Sequence, residues 1–427
     1  MENKQTLLTE EQLQEIKDLV KPFVPRFIIN ERGRRRMMRR LKELALTRQA
    51  KGNGPERPMG INLYGDRLAG TGLSMSVRTL ISEFEAAGIP YSFHQVDEKE
   101  GKVVDGPETA TDYAVNVFHL QPPVWAYFAL HMDRESTDTH YNIAHWAWET
   151  PTLPEEWVPA ADYFDEIWTP SAFVARAIRR SCPKKKVRVM PHGICEENAE
   201  VPAAEGRTVT RLRYGIPSGA FTAMLLYDGR SSTERKNPMA GIRAYLSAFP
   251  SGEEGVCLIV KGKYFERSDR KRIERLTGSR RDIRFVDGEL SYEETQSLIA
   301  ASDVLISLHR AEGFGLPIAE AMRAGVVPLA TDYSATKEIM NADSGMPVAY
   351  RLLKTGHSYG VYRRGTVWAE PDEADAAEKL ARLKADPALL HRLSEAARER
   401  VVRQLSAKRI GGRIRRVLDR IAEAEDV

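Results

Sequence analysis

Cysteine is scarce in this chain: Cys182, Cys195 and Cys257 are the only three in 427 residues, widely separated and without CxxC spacing. That excludes a disulfide framework and a thiolate zinc site, and fits reduced thiols in a cytosol. No apolar run approaches the roughly 18 to 20 residues that span a bilayer. The opening Met1-Glu-Asn-Lys-Gln5 lacks the charged-then-apolar pattern of a signal peptide. A large excess of one charge is also missing, with 63 Lys and Arg against 60 Asp and Glu, a net +3. Nothing in that balance predicts affinity for nucleic acid.

Several catalytic signatures are absent too. There is no Asp-x-Asp, so no carboxylate clamp for Mg²⁺ or Mn²⁺ is expected. No Gly-x4-Gly-Lys-Ser/Thr loop occurs. Gly70-Thr-Gly72 lacks the third glycine of the dinucleotide fingerprint, which disfavours a dehydrogenase.

What is present is length enough for two domains and a repeated βα pattern. Residues 1–54 read as a basic helical extension, the first 55 residues holding 13 Lys or Arg against 7 Asp or Glu. Its Arg32–Leu41 stretch suits either a solvated helix or a face attached to an anionic membrane. Residues 55–200 open on strand Ile61–Tyr64, a Gly-rich loop, a helix and strand Tyr91–Val96. This is a βαβ unit with further strands after it. The polar stretch Glu196–Thr208 reads as the link. Residues 206–400 then restart the pattern, and 401–427 read as a terminal helix. The expected class is α/β, with two Rossmann-like, doubly wound parallel-sheet domains facing a cleft.

The segment most charged with chemistry is Glu312-Gly-Phe-Gly-Leu-Pro-Ile-Ala-Glu320. Apolar runs at 301–308 and 326–330 read as buried strands around it. Pro317 falls where a helix would start and Gly325 where it would stop. Glu312 is thus expected in a loop at a strand's carboxyl end, where open α/β sheets bind ligands. Glu320 follows one turn into a helix whose first amides attract phosphate. Two carboxylates beside an anion-binding helix start suit a ligand carrying both phosphates and sugar hydroxyls. Upstream, Arg230 and Lys236 lie six apart in a loop after another strand, a planar fork and a point charge able to neutralise a diphosphate.

Gly-Arg, then Arg-Lys, then Glu-Gly-Phe-Gly-Leu-Pro-x-x-Glu resembles the retaining GT-B glycosyltransferases of family 4, the glycosyl transferases group 1. The aromatic stretch His145–Trp157 and the segment Asp165-Glu-Ile-Trp-Thr-Pro-Ser171 look like a bacterial surface-polysaccharide or lipopolysaccharide branch of it. Pro191-His-Gly193 is similar to the family's Pro-Asn-Gly. The resemblance spans roughly 58–405 and leaves residues 1–54 outside.

The resemblance implies a metal-independent transferase with no cofactor, a nucleoside-diphosphate sugar as donor, and a saccharide or lipid-linked saccharide as acceptor at the inner face of the cytoplasmic membrane. It implies that Arg230 and Lys236 grip the diphosphate, that Glu320 binds the ribose and that Glu312 faces the sugar. Backbone amides of Phe314, Gly315 and Leu316 would touch sugar or phosphate, and Gly70 and Gly72 would cap the phosphates or shape the acceptor site. His145 would face the donor sugar, with His119 as its rival or as an acceptor-side group. The terminal helix would cross back to the first domain. Alternatives are a hexosyltransferase on a small soluble acceptor, a degenerate binding or scaffold module, and, less well matched, a sugar-nucleotide epimerase. Trp146, Trp148 and Trp157 are expected to pack, and His192 to be structural.

Overall fold

The computed structural model describes residues 56–425, apart from 99–101, 106–110, 130–131, 133–134, 195–203, 253–254 and 265–266. The basic extension 1–54 therefore lies outside the described residues. The chain divides into two units, Met1–Cys195 with Ala407–Val427, and Glu196–Ser406.

In the first unit, short apolar runs form β1 (Ile61–Gly65), β2 (Tyr91–Asp97), β3 (Lys102–Asp105), β4 (Val115–Phe118), β5 (Tyr141–His145), β6 (Glu166–Thr169) and β7 (Lys186–Val189). Their order is β3-β2-β1-β4-β5-β6-β7. All pair in parallel except β3, which runs antiparallel to β2 at the edge. Trp146, Trp148 and Trp157 are buried, and the Trp148 and Trp157 rings meet edge to face at 4.8 Å.

The terminal helix Ala407–Glu425 belongs to this unit. Ile410, Ile414, Val417, Leu418 and Ile421 recur at helical spacing and join the core of β1, β4 and helix Gly72–Ala87. The approach is close because Gly411 has no side chain: a Cβ there would lie 2.1 Å from the Glu83 carbonyl oxygen. Gly411→Ala is therefore expected to cost about 2 to 3 kcal/mol through overpacking. A urea midpoint unchanged from wild type would contradict that contact.

The second unit holds β8 (Phe221–Asp228), β9 (Val256–Lys263), β10 (Ile283–Asp287), β11 (Val304–Ser307), β12 (Val327–Thr331) and β13 (Met346–Val348). They form one parallel sheet in the order β10-β9-β8-β11-β12-β13. An antiparallel pair, β14 (Tyr350–Lys354) with β15 (Val367–Pro371), stands apart from it. The chain order reverses between β8 and β11, so the switch-point crevice opens there.

Two expectations need correcting. The run 301–308 is a strand only over 304–307, because Ala301 caps the preceding helix and Asp303 ends a turn. There the Asp303 carboxylate accepts from the Thr222 amide at 2.7 Å and pairs with Arg207 and Arg211. The expected link 196–208 is not all link, since helix Ala204–Arg213 has begun by 204, and 196–203 lie outside the described residues.

Candidate functional site: a carboxylate held by two cations at the switch point

Two segments meet at the carboxyl edge of β8 and β11. β8 runs into a 3-10 turn, Gly229–Ser231, and then the single turn Thr233–Lys236. Gly229 cannot carry a side chain, since a Cβ would sit 2.1 Å from the Tyr264 carbonyl oxygen. Ser232 (φ 63°) and Asn237 (φ 51°) are both left-handed and bracket the turn. Non-glycine residues hold that conformation only where the surroundings over-determine it, a habit of ligand loops. Pro238 then starts the next helix without needing a backbone donor.

β11 gives way to the loop carrying Glu312, and helix Leu316–Arg323 follows with Pro317 in its first turn and Gly315 (φ 101°) as its cap. Gly325, at φ 72°, closes the far end. The first amides of this helix have no intrahelical acceptor, and the carbonyl of Gly315 takes Ile318 and Ala319 instead. Phe314 is buried beneath them.

Glu312 is 8 % exposed. Its Oε1 accepts from Lys236 Nζ at 2.5 Å and its Oε2 lies 3.4 Å from Arg235 Nη1. Its own amide donates to Ser334 Oγ at 2.8 Å. Burial alone would raise this carboxyl, but Lys236 and Arg235 outweigh it and hold the group down to about 2. Glu312 is therefore a fixed anion at any physiological pH.

Arg235, 4 % exposed, also donates to the Ala311 carbonyl at 2.9 Å, while the Arg310 amide donates to the Arg235 carbonyl at 2.7 Å. The two loops are thus locked main chain to side chain. Arg310 adds a fork to Glu370, at 2.7 and 2.9 Å, and lies over the Trp368 ring.

His309 is fully buried, between Ser307 Oγ at 3.0 Å and Thr336 Oγ1 at 2.9 Å. Burial lowers it to about 4, so it stays neutral beside Glu312. Half-buried Glu320 behaves in the opposite way to Glu312: desolvation raises it to about 7, with Arg323 and Gln296 opposing. A small cavity of about 20 Å³ at this edge is lined by Lys236, Asn237, Glu312, Gly315 and Pro317. It admits about one water molecule, so anything larger must lie across its mouth.

The structure therefore brings Lys236, Glu312, Gly315 and the amides of the 316 helix together. The Arg230 side chain lies outside the described residues. The sequence pattern assigns no role to Arg235, His309 or Arg310. Arg235 stands in the quoted Arg-Lys pair and His309 just past a strand end, which were the available signals.

In the first unit, Thr71 caps helix Gly72–Ala87 through Ser74 at 3.2 Å, with Gly70 left-handed (φ 61°) and open space at Gly72. His119 and His145, treated as rivals on the sequence, form one stack at 4.6 Å, and His192 continues it at 5.5 Å from His145. Ser76 Oγ bridges His119 Nε2 at 2.6 Å and His192 Nδ1 at 2.9 Å. All three rings are at most 4 % exposed. Burial lowers all of them, His119 to about 4 and His192 to about 3. Both ring nitrogens of His145 lack a hydrogen-bond partner in the structure.

Residues 232–400 match the family model described as Glycosyl transferases group 1. The matched stretch lies within the second unit. It contains Lys236, Glu312 and Glu320, and the chain's solved neighbours extend the likeness to both units. A glycosyltransferase of Rickettsia africae matches with TM-score 0.64 at 14% identity, over 86% of this chain and 99% of that one. HepE of Anabaena, solved with UDP and glucose, gives 0.61 at 12% over 84% and 99%. The sucrose-phosphate synthase of Thermosynechococcus elongatus gives 0.61 at 16% over 86% and 100%. Together they establish the GT-B fold. No curated protein matches the chain. Among the described residues no helix is long and apolar enough to cross a membrane, and no cluster of His, Cys, Asp or Glu suits a metal ion.

Proposed function

We propose that the protein is a retaining glycosyltransferase that moves a hexose from a nucleoside-diphosphate sugar to a saccharide or lipid-linked saccharide. The observation that carries this is Glu312, a buried anion held between Lys236 and Arg235 at the switch-point edge of a group 1 domain. Lys236, with Arg230 in the same loop, neutralises the leaving diphosphate. Amides at Phe314, Gly315 and Leu316 add donors from the helix start. Glu320 takes the ribose hydroxyls. Glu312 orients the sugar hydroxyls and favours positive charge at the anomeric carbon as the bond to the diphosphate breaks. The acceptor hydroxyl attacks on the leaving-group face, and its proton passes to the departing phosphate oxygen. No metal is required in this scheme. The stacked histidines belong to the first unit's strand edge.

Bacterial surface-polysaccharide or lipopolysaccharide synthesis, with peripheral contact of the basic extension to an anionic membrane, is the setting that best suits such an acceptor. Two measurements test the reading. A panel of GDP-, UDP- and ADP-sugars, with the product anomer assigned by NMR, should show transfer with retention, and an inverted product would overturn the mechanism. Lys236→Ala should weaken binding of the free nucleoside diphosphate about 10- to 100-fold, the worth of a charged hydrogen bond. Unchanged affinity would remove Lys236 from the diphosphate site.

A further inference from the structure

Lys261 is a buried lysine for which the transfer scheme has no use. It lies near the end of β9, 4 % exposed, at the same strand edge as the donor site. Its register partners are Leu226 of β8 and Val286 of β10. An ammonium group has three protons to place. This one donates to the Gly288 carbonyl at 2.6 Å and reaches the Gly262 carbonyl only at 3.5 Å. No carboxylate among the described residues lies within ion-pair distance of it. Burial, then the neighbouring charge of Lys263, pulls it below the usual lysine range, with the more distant charges of Asp287, Asp228 and Glu289 acting the other way. Leaving a cation desolvated and unpaired is costly, and such groups concentrate at functional sites.

The surroundings suit a flat polar ligand. Gly288, which takes the Lys261 proton, has φ 90°, and a Cβ there would meet nothing within 4 Å. The space beside Gly288 on its Cβ side is therefore open. β9 is two strands from β11, whose loop leads into the helix bearing Glu320. At about 4.8 Å per strand that is roughly 10 Å, the reach of a nucleoside whose ribose rests at Glu320.

We propose that Lys261 reads the nucleobase, donating a hydrogen bond to an exocyclic carbonyl oxygen and so selecting keto bases over amino bases. The proposal rests on the nucleotide-sugar reading of the same site. A uracil or guanine oxygen accepts that proton, whereas the amino group of cytosine or adenine at the corresponding position presents hydrogens to a cation. Lys261 also ties the Gly288 turn to β9, so the same side chain fixes the backbone alongside the base.

Calorimetric titration of the full chain with UDP, CDP, GDP and ADP tests this. Within the ring size the protein accepts, the keto base should bind at least about tenfold more tightly than its amino counterpart, UDP over CDP or GDP over ADP. Lys261→Met should bring the keto nucleotide down to the affinity of the amino one while leaving the latter nearly unchanged. Equal loss for all four would mark a purely structural lysine and overturn the proposal. So would a wild-type protein that binds CDP or ADP as tightly as its keto partner, a comparison that stands even if the variant does not fold. Binding of none of the four by wild type would sink the donor-site reading with it, whereas binding without keto preference sinks only the role of Lys261.

Discussion

Glu312→Gln is expected to lower turnover at least a hundredfold, the usual scale for losing one preorganised electrostatic group, and also to weaken the fold by about 3 kcal/mol. The second effect follows from what the carboxylate touches. It is the counter-ion of Arg235, a guanidinium 4 % exposed and committed to the Ala311 and Ser231 carbonyls. Removing one partner of a buried pair leaves the other charge unpaired, which costs about 3 to 5 kcal/mol. Loss of activity in the single variant is therefore ambiguous between chemistry and a loosened loop.

A second substitution separates the two. Glu312→Gln combined with Arg235→Met removes the stranded cation with a side chain of similar length. Stability, measured by urea midpoint, should rise above that of the single variant without reaching wild type, since the stranded cation is gone but the Ala311 and Ser231 carbonyls lose their donor, while turnover stays low. Recovery of turnover along with stability would show that Glu312 serves only to hold the loops together. Near-normal turnover in the single variant would sink its assignment outright.

Much of this arrangement was legible in the sequence, for a physical reason. Parallel strands buried on both faces read as unbroken apolar runs, and Gly and Pro mark where each helix begins and ends. Helix Pro238–Ala248 and the helix through Glu320 follow from those signals, as does the strand-end position of Glu312. Edge and surface strands were not legible. In β14, Tyr350-Arg-Leu-Leu-Lys354 is half exposed and pairs only with β15, so no buried run announces it. Antiparallel β3, a four-residue edge strand, is as quiet.

Within the site, types were readable and partners were not. Glu312 meets Lys236 and Arg235 from 76 and 77 positions away, and local spacing carries no record of such a pairing. The three histidines show the same limit more sharply. His119, His145 and His192 end or follow different strands of one sheet, and only the order β4-β5-β6-β7 brings their rings into a stack. Reading them singly made two of them competitors for one place.

That stack leads to a strong dependence of stability on pH. Folded His94, His119 and His309 are each lowered to about 4, His192 to about 3, and His145 lies well below its ordinary value, in every case chiefly by burial. In the unfolded chain all five take up protons as pH falls through about 6.5. Between about pH 6.5 and 4.5 the unfolded state thus gains up to five protons that the fold refuses, and stability falls with falling pH. Three carboxyls act the other way. Glu98 and Glu320 are raised to about 7 and Glu83 well above its usual value, so folded protein keeps these protons where the unfolded chain has lost them. Five against three leaves two net protons, or about 3 kcal/mol per pH unit. Across two units that is comparable to the 5 to 15 kcal/mol that holds an ordinary domain folded. Urea midpoints should accordingly fall steeply from pH 6.5 to 4.5, before Glu312, held near 2, begins to lose its charge. His145→Phe should flatten the slope by about one proton, since it removes a ring that takes up its proton only in the unfolded chain. A midpoint that stays level over that range would mean the histidines accept protons within the fold, and the buried stack would have to open to let them in.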